Sequence, residues 1–284
     1  MKKRGDAESF NKNWETRDET NYLHWTKGEV DNQIQLAFRR HWITFNNIIK
    51  DSNLDGNKSL EVGCGRGSLS AYFSEQRWDT TLLDISPIAI ERAKEAFNKS
   101  NLKGKFDVGD CLNLPYEDKS FDLVFSIGLL EHFEDFNQVI SEQARILKNN
   151  GLFIGYVVPE LIDSLQKNYN WINDILKAVT PKNIVSQNAD KEEIYRSDEL
   201  SPKYLNVMKN NKLTNCWSSG IYSLPMISHS IDFPFTLLNK QAEKILVNHF
   251  THLLNEKEIQ NKSDPWLCKE GHGQAFIVVG TKKC

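Results

Sequence analysis

The stretch Ser59-Leu60-Glu61-Val62-Gly63-Cys64-Gly65-Arg66-Gly67 decides the fold of this chain. Its apolar residues Leu60 and Val62 are typical of a buried strand, and the residues that follow, 68–76, favour a helix. The three glycines let the backbone turn sharply between the two elements and let a ligand approach main-chain N–H groups. A dinucleotide-binding turn, G-x-G-x-x-G, needs its third glycine at position 68, where this chain has Ser68. The spacing therefore indicates a glycine turn of a different class.

Acidic residues follow the next two predicted strands. The stretch 78–84 is typical of a second strand that ends at Asp84, and a helix with Pro87 at its start extends to Lys99. A third strand within 104–111 is followed by Asp110. A carboxylate about 20 residues after the first glycine can accept hydrogen bonds from two ribose hydroxyls. Either aspartate alone could be an ordinary turn residue, but the presence of both at strand ends favours a ligand site.

The chain continues with the alternation expected of a parallel sheet. A fourth strand over 120–127 is followed by Gly128-Leu129-Leu130-Glu131-His132-Phe133, then by a helix over 137–147 and a fifth strand over 152–158. This order of motifs over residues 57–158 resembles the class I S-adenosylmethionine-dependent methyltransferases, in particular the group that includes ubiquinone and menaquinone biosynthesis enzymes. The resemblance implies an α/β fold with a Rossmann-like, seven-stranded core, an added helical cap and S-adenosyl-L-methionine as cofactor.

The resemblance also implies which residues bind the cofactor. Asp84 matches the acid that binds the ribose, and Asp110 matches the acid beside the adenine amino group. The full expected set comes from the glycine turn and from the strand ends that follow it: Glu61, Gly63, Cys64, Gly65, Gly67, Asp84, Ile85, Asp110, Cys111, Ser126 and Ile127.

Three residues are candidates for catalysis. Methyl transfer from a sulfonium requires mainly that the acceptor is aligned with the methyl group and that water is excluded. A general base is needed only where the acceptor arrives protonated. His132 is a candidate because its pKa range suits proton transfer near neutrality, and Glu131 and His24 are the others. Because the Leu-Glu-His triplet occurs in this family whatever the substrate, a structural or orienting role is the favoured alternative for His132 and Glu131.

The same stretch argues against a metal ion. Some quinone O-methyltransferases with a similar segment carry E-x-x-E-H, which gathers a divalent cation. Here Gly128 stands where the first acid would be, so one hard oxygen ligand is missing. The sequence predicts methyl transfer without a metal.

Outside the core pattern the chain is rich in aromatic residues. We predict an N-terminal helical cap segment over 1–50, the cofactor-binding half of the core over 51–158, a helical lid insertion over 159–196, and the second half of the core over 197–284 with another helical insertion near 226–265. Helices are predicted over 33–49, 160–179, 197–211 and 237–257, and further strands over 212–224 and 274–280. The predicted substrate-binding residues are Tyr22, Trp25, Trp171 and His229. The alternatives are core packing for the aromatic residues of the leading helix and a dimer interface for the insertions.

Size and charge narrow the function classes. The 284 residues suffice for one elaborated α/β core, and the formal charge of −3 gives no electrostatic reason for a polyanionic partner. The fourth strand is not followed by the D/N/S-P-P-Y motif that grips a flipped base, so nucleic acid is not an expected partner. The five cysteines show no paired spacing, and no apolar stretch has the length of a signal peptide or a membrane span. We therefore expect a cytoplasmic protein without a membrane partner.

These observations predict an S-adenosylmethionine-dependent methyltransferase that acts on an oxygen or nitrogen of a small molecule, namely a sugar, a secondary metabolite or an amine. C-methylation of a quinone-like ring is the alternative within the family. A NAD-dependent oxidoreductase and a non-catalytic S-adenosylmethionine-binding protein are the alternatives from other classes. A homodimer is left open.

Overall fold

A computed structural model of the chain describes residues 7–16, 24–160, 168, 170–179, 194–224 and 238–283. Eight strands form one sheet in the order β3-β2-β1-β4-β5-β8-β6-β7. The strands are β1 (Lys58–Val62), β2 (Asp79–Asp84), β3 (Lys105–Val108), β4 (Phe121–Ile127), β5 (Leu147–Val157), β6 (Leu213–Ile221), β7 (Leu267–Cys268) and β8 (Ala275–Lys282). The helices are α1 (Ala7–Thr16), α2 (Gln33–Asp51), α3 (Ser68–Glu75), α4 (Pro87–Lys99), α5 (Asn137–Ile146), α6 (Asn170–Val179), α7 (Ser201–Asn210) and α8 (Lys240–Asn261), and short 3-10 helices lie at Leu130–His132 and Glu270–His272.

The connections of the sheet create one crevice. Strands β1 to β5 pair in parallel, whereas β8 is antiparallel to both β5 and β6. From β1 the chain adds β2 and β3 on one side, and β4 then pairs with the free side of β1 before β5 follows it. The carboxyl ends of β1 and β4 therefore flank a topological switch point, which is where open α/β sheets bind their ligands.

Helices cover both faces of the sheet. On one face, Phe45 of α2, Phe73 of α3 and Val247 of α8 share a buried cluster with the strands. On the other face, Ile140 of α5 and Met208 of α7 do the same. Core packing is thus the observed arrangement for the aromatic residues of the leading helix. The boundaries of the predicted cap over 1–50 stay a prediction, although α2 within it forms a layer of the core.

The Rossmann-like core is confirmed, with differences at its margins. The two-residue strand β7 adds an eighth strand at the sheet edge. Glu160, the predicted start of the helix over 160–179, lies outside a helix, and α6 spans Asn170–Val179, while residues 161–167 and 169 lie outside the described ones. The helix predicted from Ser197 begins at Ser201, which places Pro202 in the first turn, where its missing N–H has no partner to lose. Every helix within the described ranges is too short or too polar to cross a lipid bilayer.

Candidate cofactor and active site

The glycine turn between β1 and α3 uses its own N–H groups to hold its shape. Gly63 and Gly65 adopt left-handed backbone angles, with φ of 70° and 52°. The N–H groups of Gly63 and Cys64 donate to the Leu83 carbonyl (2.8 and 3.0 Å), and that of Gly67 donates to the Cys64 carbonyl (2.8 Å). The expectation that the turn offers its N–H groups to a ligand is therefore wrong for these three residues. The bonds of Gly63 and Cys64 instead fix the turn to the end of β2, and the bond of Gly67 closes the turn on itself.

Asp84, the last residue of β2, is the acid that faces this turn. Its Oδ2 accepts from the Gly65 N–H (2.8 Å) and its Oδ1 accepts from the Ser86 N–H (2.9 Å). Burial is the main reason that the pKa of Asp84 is raised, and these hydrogen bonds oppose the rise. The Ile85 N–H also reaches this carboxylate, and because a carboxylate has about four acceptor positions it still has capacity for a ligand hydroxyl. The predicted ribose ligand is thus placed beside the turn.

Glu61 has a different role from a ligand that faces the crevice. It is buried in β1, where its Oε2 accepts from the N–H of Ser70 in α3 (3.1 Å) and also from the Ser70 hydroxyl. Burial raises the pKa of Glu61 to about 8, against the smaller opposing effect of Ser70. The described contacts of Glu61 join β1 to α3, so it supports the turn from beneath.

We expect Glu61 to make the protein less stable as pH rises from 5 to 8. The unfolded chain ionises this carboxyl near pH 4.5, whereas the folded chain keeps its proton until about pH 8. Each added pH unit in that window therefore favours unfolding, by at most about 1.4 kcal/mol for one proton. In denaturant titrations at several pH values, Glu61→Gln should lose less stability over this window than the wild type. Glu142→Gln should keep the wild-type slope, because Arg145 lowers the pKa of Glu142 and moves its effect below pH 4.5. Equal slopes for wild type and Glu61→Gln would contradict this assignment.

The remaining predicted adenine-side residues lie around the ends of β2 and β3. Asp110 is exposed, and its Oδ1 accepts from the Leu112 N–H (2.9 Å), which closes a tight turn. Ile85 and Cys111 are half-buried. The turn role of Asp110 is therefore observed, and its contact with an adenine stays a prediction.

Ser126, Ile127 and Glu131 surround the sharp turn at the carboxyl end of β4. Gly128 has a φ of 67°, and Glu131 Oε1 lies 3.5 Å from the position that a Cβ on Gly128 would occupy. Ser126 and Glu131 are at most 1% exposed, and Ile127 is half-buried. Burial raises the pKa of Glu131 to about 7, and Arg196 and the backbone N–H groups of Glu131 and Val158 oppose the rise. A buried carboxyl of this kind can exchange a proton near neutral pH.

Burial favours the neutral imidazole of His132, although hydrogen bonds to the Tyr195 and Gly128 backbone oppose this effect. Burial is the main reason that its pKa is lowered. Its Nδ1 lies 2.8 Å from the Tyr195 carbonyl oxygen, which can only accept, so Nδ1 carries the proton. Nε2 then carries the lone pair of the ring. His132 therefore has the protonation state of a base as well as a fixed orientation.

Helix α1 lies against both the glycine turn and His132, within the predicted cap segment, but its residues were not among the predicted site residues. A side chain on Gly65 would come within 3.0 Å of the Trp14 ring, and the Phe10 ring meets His132 edge-on at 5.6 Å. Beside Asp84, the Ser86 hydroxyl donates to Asn11 Oδ1. The one signal in the sequence was that Phe10 and Trp14 stand one helical turn apart. Because α1 reaches all of these points, it covers the crevice.

His24 is not brought together with Glu131 and His132. It stacks on Phe38 of α2 at 5.5 Å, and with Trp25 it lines a cavity of about 810 Å³ between the starts of α2, α3 and α8 and the side of α4. Among the described residues that line this cavity, none comes from the end of β4. The catalytic role of His24 and the acceptor role of Trp25 stay predictions.

The other predicted acceptor residues are less defined by the structure. Trp171 is 58% exposed, and it shares the outer face of α6 with Ile175 and Val179, so it is not a core residue. Tyr22 and His229 lie outside the described residues.

Comparison with known proteins agrees with this geometry. Residues 60–155 match the family model described as a methyltransferase domain. These residues therefore form a methyltransferase domain, and the fold is that of solved S-adenosylmethionine-dependent methyltransferases. The chain is 35% identical to norajmaline N-methyltransferase of Rauvolfia serpentina over 107 residues, which is 37% of each chain. It is 28% identical to the ubiquinone biosynthesis O-methyltransferase of Pelagibacter ubique, over 60% of this chain and 75% of that protein. The match spans only 34% to 37% of the length of three of the curated relatives.

Solved structures of low sequence identity share the fold of this chain. One is described as a possible histamine N-methyltransferase of Thermotoga maritima, with a TM-score of 0.52 and 17% identity over 88% of this chain and 91% of that one. Another is a Haemonchus contortus N-methyltransferase in complex with S-adenosylhomocysteine, with a TM-score of 0.52 and 17% identity over 86% of this chain and 53% of that one. S-adenosylhomocysteine, which that structure contains, is the product that S-adenosylmethionine becomes on losing its methyl group. The left-handed glycines and the remaining acceptor positions of Asp84 fit S-adenosylmethionine as the cofactor.

Proposed function

We propose that this chain transfers a methyl group from S-adenosylmethionine to an oxygen or nitrogen of a small-molecule acceptor. The observation that carries the proposal is the position of Asp84, whose carboxylate faces the glycine turn at the switch point. Two ribose hydroxyls of the cofactor would bind there. The match of residues 60–155 to a methyltransferase domain supports the same conclusion.

The glycine turn also argues against a nicotinamide-dependent oxidoreductase. A dinucleotide-binding turn holds a pyrophosphate with main-chain N–H groups. Here the N–H groups of Gly63, Cys64 and Gly67 already donate to carbonyls, and that of Gly65 donates to Asp84. S-adenosylmethionine carries no phosphate, so it does not need those donors. Turnover would exclude the remaining alternative, a non-catalytic binding protein.

The residues of the chain supply alignment, exclusion of water and a proton acceptor. When bound, the cofactor supplies a methyl group that is already activated by the positive sulfur. Phe10 of α1 covers His132, and Glu131 is buried, so water is kept from the end of β4. An acceptor that arrives as a hydroxyl or an ammonium must lose a proton, and Glu131 or the Nε2 of His132 would take it.

The acceptor itself is named only by class. Among the relatives, one is an N-methyltransferase and another an O-methyltransferase, which supports nitrogen and oxygen acceptors alike. C-methylation of a quinone-like ring stays the alternative. We assign Tyr22, Trp25, Trp171 and His229 to the walls of the acceptor site, and we place the enzyme in the cytoplasm, with a homodimer as the assembly to test.

We expect methyl transfer to continue after exhaustive dialysis against EDTA. Gly128 replaces an acid of the metal-binding variant of this segment, and the described residues include no group of three or more His, Cys, Asp or Glu side chains that could hold a metal. The test is transfer of a labelled methyl group from S-adenosylmethionine to a panel of small alcohols and amines, before and after chelation. A loss of activity that magnesium or zinc restores would contradict the expectation. Failure of every acceptor, together with failure to bind S-adenosylhomocysteine, would overturn the proposed function.

A further inference from the structure

Two buried oxygen atoms at the end of β4 have no hydrogen-bond partner in the part of the chain that the structure describes. They are the Ser126 hydroxyl and Oε2 of Glu131, on either side of the turn at Gly128. Both side chains are at most 1% exposed, so water does not satisfy them from the surface. A buried acceptor left without a donor is costly, and such atoms in a native protein call for an explanation. A ligand that brings hydrogen-bond donors would satisfy both.

The surroundings of Glu131 favour a ligand with positive charge. The carboxylate of Glu131 accepts hydrogen bonds from backbone N–H groups. The positive charge of Arg196, an exposed residue, also lowers the pKa of this carboxyl. Two buried aromatic residues, Tyr156 and Tyr204, have pKa values raised first by burial and then by the charge of Glu131, so both lie near it. Aromatic rings attract cations, and a buried carboxylate is stabilised by one.

We propose that the acceptor is an amine, whose ammonium group binds to Glu131 and Ser126 at the end of β4. This inference rests on the proposed function and narrows it to nitrogen. An ammonium group brings several N–H donors and a positive charge, whereas a hydroxyl group brings one donor and no charge. The ammonium therefore has donors for both oxygen atoms and a charge that balances the carboxylate. Ser126 and Glu131 are substrate-binding residues in this assignment, and Glu131 is also the base.

Methyl transfer to an ammonium requires that the nitrogen first loses one proton. The ammonium gives one proton to Oε2 of Glu131 and becomes an amine with a free lone pair. That lone pair forms the new N–C bond with the methyl carbon while the C–S bond breaks and its electron pair stays on sulfur. The products are an N-methylammonium and S-adenosylhomocysteine. The proton on Glu131 leaves to solvent, so each methyl transfer releases one proton.

The test compares amines with alcohols of the same skeleton. We would use 2-phenylethylamine against 2-phenylethanol, and cyclohexylamine against cyclohexanol, with labelled methyl transfer and calorimetry on the complex with S-adenosylhomocysteine. The amine of each pair should exceed its alcohol at least 100-fold in kcat/KM. Glu131→Gln, which removes the charge but keeps the shape, should lower kcat/KM for amines at least 100-fold and raise KM. Glu134→Gln, an exposed acid of the same segment, should behave as wild type.

Ser126→Ala tests the same site with a second variant, in case Glu131→Gln does not fold. The Ser126 hydroxyl has no partner to lose, so the melting temperature should not fall, whereas amine affinity should drop 3- to 10-fold. The affinity for S-adenosylhomocysteine should stay within threefold of wild type in both variants. Preference for alcohols, or binding of neither class while S-adenosylhomocysteine still binds, would overturn the amine assignment and leave the cofactor assignment in place. Loss of S-adenosylhomocysteine binding by the wild type would instead overturn the proposed function.

Discussion

Replacement of Asp84 by alanine should weaken the binding of S-adenosylmethionine and S-adenosylhomocysteine by about 2–4 kcal/mol, which is roughly 30- to 1000-fold. The carboxylate would lose its hydrogen bonds to two ribose hydroxyls, and the N–H groups of Gly65 and Ser86 would lose the acceptor that holds the turn. Bonds to a charged acceptor are worth about 1.5–3 kcal/mol each and do not add fully. Calorimetric titration of both ligands measures the change.

The matched control for Asp84 lies at the other end of the same strand. Asp79 is the first residue of β2, and its carboxylate pairs with Lys105 on the surface (2.8 Å). Asp79→Ala should leave cofactor affinity unchanged, because an exposed ion pair contributes little and lies at the amino end of the strand. If both variants lost affinity equally, the effect would come from the strand and not from ribose binding. If neither lost affinity, Asp84 would not be the ribose ligand.

Replacement of Gly67 by alanine should destabilise the fold by about 2–5 kcal/mol. Gly67 precedes α3 with a φ of 67°, which costs a residue with a Cβ about 1–2 kcal/mol. The new Cβ would overlap Cδ2 of Leu82 and stand 3.2 Å from Cε2 of Phe97, both of them buried. Crowding of a packed core adds about 1–3 kcal/mol. Denaturant unfolding should show the loss, and cofactor affinity should fall with it because the turn is displaced.

Gly271 provides the control for a glycine that needs no special conformation. It lies in the 3-10 helix Glu270–His272, and a Cβ there would meet nothing within 4 Å. Gly271→Ala should leave the free energy of unfolding within about 1 kcal/mol of wild type. A Gly67→Ala variant as stable as Gly271→Ala would show that the third glycine is not required for packing of α3 on β2.

The order of elements was predictable because it depends on local patterns. Glycine spacing, apolar runs and acids at strand ends are all visible along the chain, and they led to the parallel core from β1 to β5. The contact of Glu160 was not predictable in this way. Its N–H donates to the Ser197 carbonyl (2.9 Å), which belongs to a distant part of the chain.

The candidate site was likewise predictable from the sequence only in part. Asp84 was placed correctly beside the turn because strand ends of a parallel sheet meet at one edge. The link from Glu61 to Ser70 and the position of Trp14 at Gly65 depend on tertiary packing, which sequence spacing does not report. The stacking of His24 on Phe38 is another tertiary contact that sequence spacing does not report, and the catalytic role of His24 stays a prediction.

Calorimetric titration of the unmodified protein with S-adenosylhomocysteine and with NAD, under the same conditions, tests the central claim most directly. The geometry of the glycine turn and Asp84 predicts saturable binding of S-adenosylhomocysteine, one molecule per chain, and no binding of NAD. Binding of NAD without binding of S-adenosylhomocysteine would contradict it.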